Sequence, residues 1–361
     1  MKYQEVLRHI VGSSPLFSQG GSSPPRTRSQ GGSSPLFSQG GSPIRPGRDG
    51  ADETLSVKYL HALSGMTREQ MELFQDAWSE MGVERRRLVV RRLAELTEIS
   101  FEVSFDPIFF LGMGDEDGEV RAAAIRGLWE NEARGLIPVL IHLLKSDESD
   151  DVRAAAAEAL GRFVLLGEME KIDAATAALV EDCLRATIEN ADETVETRRR
   201  AVESIAYSSQ AGVPQIIRAA YHSDDDTMQV SALCAMGRSA DPSRWRNLVV
   251  AQLRNKNPEL RYESARACGE LELASAVPRL GEMAVRDSDP EVRQAAVWAL
   301  GSIGGKEAQR ILEACCESDD ESLSDAAAAA LDEMDLFGGD THGAIALDDE
   351  DEDEWQISND K

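Results

Sequence analysis

Aromatic residues supply only 5% of this 361-residue chain, and alanine carries much of the 42% that is apolar. Scarcity of large rings with an abundance of small side chains suits closely packed helices better than strands. No segment shows sustained apolar–polar alternation, so strands are not expected. No stretch approaches the ~18 apolar residues of a membrane-spanning helix, and the opening MKYQEVLRHIV lacks the long apolar core of a signal peptide. The five cysteines contain no C-x-x-C pair, and the adjacent Cys315 and Cys316 cannot form an ordinary bridge with each other. These absences predict a soluble, reduced, cytoplasmic protein with no membrane partner.

Catalytic constellations are equally scarce. None of the five histidines (His9, His61, His142, His222 and His342) lies in a His-Glu pair. H-E-x-x-H, G-x-S-x-G and the Gly-Lys-Ser/Thr phosphate loop are all absent. The expectation is therefore no catalytic residue, no metal ligand and no cofactor. Base is in short supply too: 65 acids face 38 lysines and arginines, a formal net charge of -27. Such a field repels phosphate backbones, which excludes nucleic acid and favours a protein partner with a basic or mixed surface.

What is present is organised in three parts. After a short helix at residues 1–11, residues 12–54 are rich in Gly, Ser and Pro, and GSSPLFSQGGS occurs there twice, at Gly12–Ser22 and Gly32–Ser42. Duplicated, breaker-rich sequence reads as a disordered linker, with Leu16-Phe17 and Leu36-Phe37 as possible paired docking dipeptides. Residues 336–361 form an acidic tail, the run Asp348–Glu354 leading into Trp355, which reads as disordered and solubilising or as an interaction tail.

Between the flanks, residues 55–335 repeat. DPEVRQAAVWALG at Asp289–Gly301 recurs as NPELRYESARACG, DTMQVSALCAMG, SDDVRAAAAEALG and DGEVRAAAIRGLW, with weaker copies ETRRRAVESIA and ESLSDAAAAALD. The positions matching Val292 are Val120, Val152, Thr197, Met228, Leu260 and Leu323, with successive spacings of 32, 45, 31, 32, 32 and 31 residues. The long step implies an insertion of about a dozen residues near Leu165–Ala175. Each copy reads as two helices. In the reference copy Asp289 is the N-cap and Pro290 the first helical residue, as Asn257 and Pro258 are one copy earlier. Val292, Ala295, Ala296, Ala299 and Ile303 share one stripe, and Gly301 and Gly304-Gly305 end the helix. Thr67 and Gln70 form a capping-box pattern for a degenerate pair upstream.

The D-x-x-V-R-x-x-A-A-x-A-L-G frame is similar to the short HEAT repeats of the phycobilin-lyase-like class, over about three quarters of the chain. The resemblance implies an all-α, right-handed α-solenoid of about seven to eight HEAT-like helix pairs, with a disordered N-terminal linker and an acidic C-terminal tail. It implies that Arg121, Arg153, Arg198, Arg261 and Arg293, each one residue past the reference position, bridge to acids of adjacent repeats; the alternative is a basic ladder for an anionic ligand.

In HEAT stacks the second helix of each pair lines the concave face. At about 100° per residue, positions 291, 294 and 298 lie opposite the core stripe. The candidate partner-binding set is then Trp298, Gln294, Glu291, Tyr262, Arg266, Glu259, Val230 and Arg199. Aromatic residues and arginine are enriched at binding hot spots, although Trp298 folding against its neighbour is the alternative. Two functions follow. One is a non-catalytic scaffold or adaptor that grips a partner protein. The other, from the resemblance, is a phycobilin-lyase-like enzyme or tetrapyrrole chaperone with Arg199, Arg266 and Arg126 as cationic anchors.

Overall fold

The computed structural model describes residues 3–12, 55–100 and 102–338. Nearly all of the duplicated linker and the acidic tail, including Trp355 and both Leu-Phe dipeptides, lie outside the described residues. The chain is all-α, with no strand among the described residues, and it divides into two compact units, Met1–Ser239 and Ala240–Lys361.

The first unit opens with α1 (Tyr3–Val11) and α2 (Val57–His61). Five helix pairs follow: α3 (Arg68–Glu80) with α4 (Val83–Ile99), α5 (Asp106–Gly112) with α6 (Gly118–Gly127), α7 (Leu136–Ser146) with α8 (Asp150–Glu168), α9 (Ala174–Glu189) with α10 (Val195–Ile205), and α11 (Val213–Tyr221) with α12 (Asp226–Arg238). Second helices of successive pairs pack directly on one another, from α4 through α6, α8 and α10 to α12. The second unit holds three pairs: α13 (Pro242–Gln252) with α14 (Pro258–Glu270), α15 (Val277–Arg286) with α16 (Pro290–Ile303), and α17 (Gly305–Cys316) with α18 (Glu321–Gly338). There α14, α16 and α18 form the corresponding row.

The repeat spells out this architecture locally. Asp117, Asp173, Thr194, Asp225, Asp241, Asn257 and Asp289 each accept a first-turn backbone N–H, each such cap typically contributing ~1 kcal/mol. Thr67 and Gln70 form the reciprocal capping box at α3. Val120, Val152, Thr197, Met228, Leu260, Val292 and Leu323 are all buried. Fully burying a side chain of Val or Leu size is worth ~1.5–3 kcal/mol, so the register repeats because its core contact repeats. Thr197 is the polar exception, and its hydroxyl meets that of Thr194 at 3.0 Å.

Two local expectations change. Gly304, at φ 68°, ends α16 in a left-handed conformation that suits glycine, but Gly301 lies inside the helix. A Cβ there would come within 3.1 Å of the Ala330 Cβ on α18, so this glycine serves close approach and not termination. The insertion lengthens helices more than it adds loop. Phe163, Val164 and Leu166 extend the buried face of α8, and α9 starts again at Ala174 after a short connection carrying buried Ile172.

Candidate functional site

On α14 and α16 the candidate side chains form a small cluster. Glu259 and Glu291 are exposed, and both lie in the first turns of their helices. Tyr262, Arg266, Gln294 and Trp298 are partly buried. The Arg266 guanidinium sits over the Trp298 ring at 5.3 Å, and its Nη2 donates to Glu270 at 3.2 Å. Burial raises the Tyr262 hydroxyl above its ordinary pKa, the charge of Arg266 acting in the opposite direction. Trp298 also packs on the neighbouring helix: a Cβ built on Gly269 would come within 2.8 Å of the ring. The indole is thus a covering group and a presented surface at once. Gln294 Nε2 donates to Ser322 Oγ on α18 at 3.1 Å.

Arg199 and Val230 belong to the first unit, on α10 and α12. Arg199 is not an open cation. It pairs with Glu196 at 2.5 Å and Glu203 at 3.3 Å, and Nη1 donates to Ser231 Oγ. Glu203 is 4% exposed. It accepts from Arg200 at 3.1 Å and from the Ser231 hydroxyl at 2.5 Å, while its backbone carbonyl accepts from Arg238 at 3.1 Å. The repeat register puts Glu203 six residues past Thr197, the position Trp298 holds in its own repeat, but does not reveal this network. Its signal was the pair of adjacent arginines, Arg199 and Arg200, spaced three and four residues from both Glu196 and Glu203.

The arginines after the reference position line the loop edge. Arg121 forks onto Asp147 at 2.7 and 2.9 Å and also donates to the Asp115 and Glu116 carbonyls. Arg261 repeats this with Asp287 at 2.7 and 2.8 Å and with the Asn255 and Lys256 carbonyls. Arg153 meets Glu193 at 2.9 Å, and Arg293 meets Asp320 at 3.3 Å. Arg198 departs from the expected acid bridge and donates to the Ile188 carbonyl instead. Gln229 fills the slot on α12 and donates to the Ser223 carbonyl at 2.7 Å. Arg86 extends the ladder upstream, almost buried, with Asp115 at 2.9 Å and Glu116 at 2.8 Å. Its triple-arginine setting hid it from the repeat frame.

Burial alone would push the Asp147 and Asp287 carboxyls up. Bonds from Arg121 and Arg261 and from the backbone at Ser149 and Asp289 hold both below the usual carboxylate range. A depression of about 530 Å³ opens beside the Arg121 step, lined by Asp115, Glu116, His142, Asp147 and Glu148 among others. Its Asp115, Glu116 and Asp147 carboxylates are already paired with Arg86 and Arg121. Among the described residues, no cluster of three or more His, Cys, Asp or Glu has metal-binding geometry, and no helix is long and apolar enough to cross a membrane.

Paired helices, stacked through their second members and tied at the loops by a repeating arginine, define a class. The HEAT-repeat family model matches residues 108–191 and 246–332, one stretch within each compact unit. Those two stretches are HEAT repeats. No curated protein matches the sequence. Similar solved structures include the complex of CpcE and CpcF of phycocyanin lyase from Nostoc sp. PCC7120, 17% identical over 81% of this chain and 99% of that one, with a TM-score of 0.48. Human deoxyhypusine hydroxylase in complex with glycerol is 17% identical over 74% of this chain and 97% of that one, at 0.33. Kap95p, in a structure with RanGDP, is 12% identical over 79% of this chain and 41% of that one, at 0.42. Resemblances of this depth do not say what this chain binds.

Proposed function

We propose that this protein is a non-catalytic scaffold or adaptor that holds a partner protein against the second-helix face of its repeats. The observation that carries the reading is the Arg266–Trp298 stack at 5.3 Å, partly exposed beside Tyr262. An aromatic–arginine cluster of this kind is the composition that dominates binding energy at interfaces. Exposed Glu259 and Glu291 flank it and suit a partner with a basic or mixed surface. Repeats of this kind add one helix stripe each to an extended face, which fits a macromolecular partner better than a small molecule.

The tetrapyrrole reading has less support. Of its three cationic anchors, Arg199 is held by Glu196 and Glu203 and Arg266 by Glu270, which leaves Arg126 exposed on α6. Affinity capture with the intact protein tests the scaffold reading. Combined Trp298→Ala and Arg266→Glu should abolish recovery of the main partner. Because the indole also packs on Gly269, the double variant should lose ~1–3 kcal/mol of stability, so capture is compared well below its melting temperature. Unchanged capture would overturn the assignment of this face. A shift in bilin absorbance on mixing with intact protein, lost in the same variant, would replace the scaffold by the tetrapyrrole function.

A further inference from the structure

Within the first unit, α1 is held in the manner of a bound ligand. Residues 12–56 separate it from α2, yet Val6, Leu7 and Ile10 are buried, Ile10 completely. With Tyr3 they follow the i, i+3, i+4, i+7 spacing of a helix laid into a groove. The polar anchors are at its two ends. The Tyr3 hydroxyl donates to the Gln70 carbonyl at 3.0 Å and contacts the Met66 sulfur. At the C-terminal end, Arg85 Nε and Nη2 donate to the carbonyls of Ile10 and His9, both at 2.7 Å, and Gly12 turns away at φ 77°. His9 stacks on Tyr59 with centroids 4.1 Å apart, and its Nε2 accepts from the Ser56 N–H.

We propose that the surface of α2, α3 and α4 beneath α1 is an exchangeable helix-docking site, and that α1 occupies it in cis against an external amphipathic helix of the same apolar spacing. Arg85 carries the argument for a general site, because it recognises the last carbonyls of a helix and not a particular side chain. Every helix ends in such carbonyls, so a partner helix with an aromatic or apolar residue at i, i+3, i+4 and i+7 meets the same seat. The tether gives α1 an advantage, since a segment on the same chain competes at an effective concentration of order mM. The intact protein is accordingly self-blocked, and a partner gains access when α1 is released.

The test uses the full chain and a fluorescent peptide of residues 1–12 as the probe. In a Val6→Asp, Ile10→Asp variant α1 no longer fills its seat, and the peptide should bind at least tenfold tighter than to the intact chain. Equal or absent binding to both would overturn the proposal. Hydrogen exchange on the unmodified chain guards against a variant that misfolds. Amides of Leu7–Val11 should exchange at least tenfold faster than those of Val89, Val90 and Leu93 in α4, through local release. Equal protection would make α1 a permanent part of the core and overturn the idea. A dimer seen by sedimentation at micromolar concentration, and lost in the variant, would assign the seat to a second copy of the chain and likewise overturn the external-helix assignment.

Discussion

One position of the repeat carries opposite chemistry in the two units. Six residues past the reference position, α10 of the first unit has Glu203 and α16 of the second has Trp298. Glu203 is satisfied from within by Arg199, Arg200 and Ser231, so this part of the face is spent on holding α10 to α12. Trp298 engages Gly269 and Arg266 but keeps part of its ring in solvent. The backbone register is the same. What differs is whether the side chain is taken up wholly by the stack or stays partly exposed. Face residues of the stack thus differ repeat by repeat in what each finds on the next helix.

The most damaging way to break the comparison is to remove the satisfied carboxylate. Glu203→Ala leaves Arg199, Arg200 and Arg238, each about 15% exposed or less, with less counter-charge, and Ser231 without its acceptor. Removing one partner of a buried pair costs about 3–5 kcal/mol. Glu196 still compensates part of the charge, so a loss near ~3 kcal/mol is expected in urea unfolding. A change below ~0.5 kcal/mol would show that the network is ornamental.

Next comes the loop edge, where the second unit holds a contrast of its own. Arg261→Met cuts a nearly buried fork to Asp287, with side-chain exposures of 12% and 6%, and should cost ~2–3 kcal/mol. Arg293→Met breaks a longer contact to Asp320, whose side chain is 43% exposed, and should cost at most ~1 kcal/mol. Burial pushes the Asp287 carboxyl up, but bonds from Arg261 and the Asp289 backbone, with the charge of Arg261, together hold it below its ordinary value. Its contribution is present above the ordinary carboxylate pKa of ~4 and is lost as pH falls through the lower folded value. Acid titration below about pH 4 should therefore destabilise the unmodified protein more steeply than Arg261→Met. Equal slopes would remove Asp287 from the account.

The sequence was most legible where the information is local. Caps such as Asp289 and Asn257, and the buried series through Val292, depend on neighbours within one turn and on a periodicity that any window displays. The arginine ladder was legible in position, but its partners required knowing which loop follows: Asp147 and Asp287 lie 26 residues on from their arginines, whereas Arg198 meets only a carbonyl. Trp298 was ambiguous for a physical reason. A rotation of about 200° from Ala296 turns it away from its own core, but a long ring still reaches the adjacent helix when that helix offers a glycine. The seat of α1 was illegible, because its partners Tyr59, Met66, Gln70 and Arg85 lie across residues 12–56 and no repeat announces them.

The smallest expected effect on stability gives the sharpest test of what the second unit presents. Glu259 and Glu291 are exposed, so their replacement should leave the packing of Trp298 on Gly269 intact. Both lie in first turns, where a carboxylate favours the helix macrodipole by ~0.3–1 kcal/mol. Combined Glu259→Lys and Glu291→Lys should then lower stability by no more than ~2 kcal/mol, measured by urea unfolding. If a basic or mixed partner surface docks on this face, the reversal places like charges opposite one another, and capture should fall by at least tenfold at low salt. The deficit should shrink as ionic strength rises, because charges more than ~10 Å apart are largely screened at 0.1 M. Capture that is insensitive to both changes would separate the two halves of the proposal. The aromatic stack would then be a packing device, as Glu203 is in the first unit, and partner binding would have to be sought on another surface.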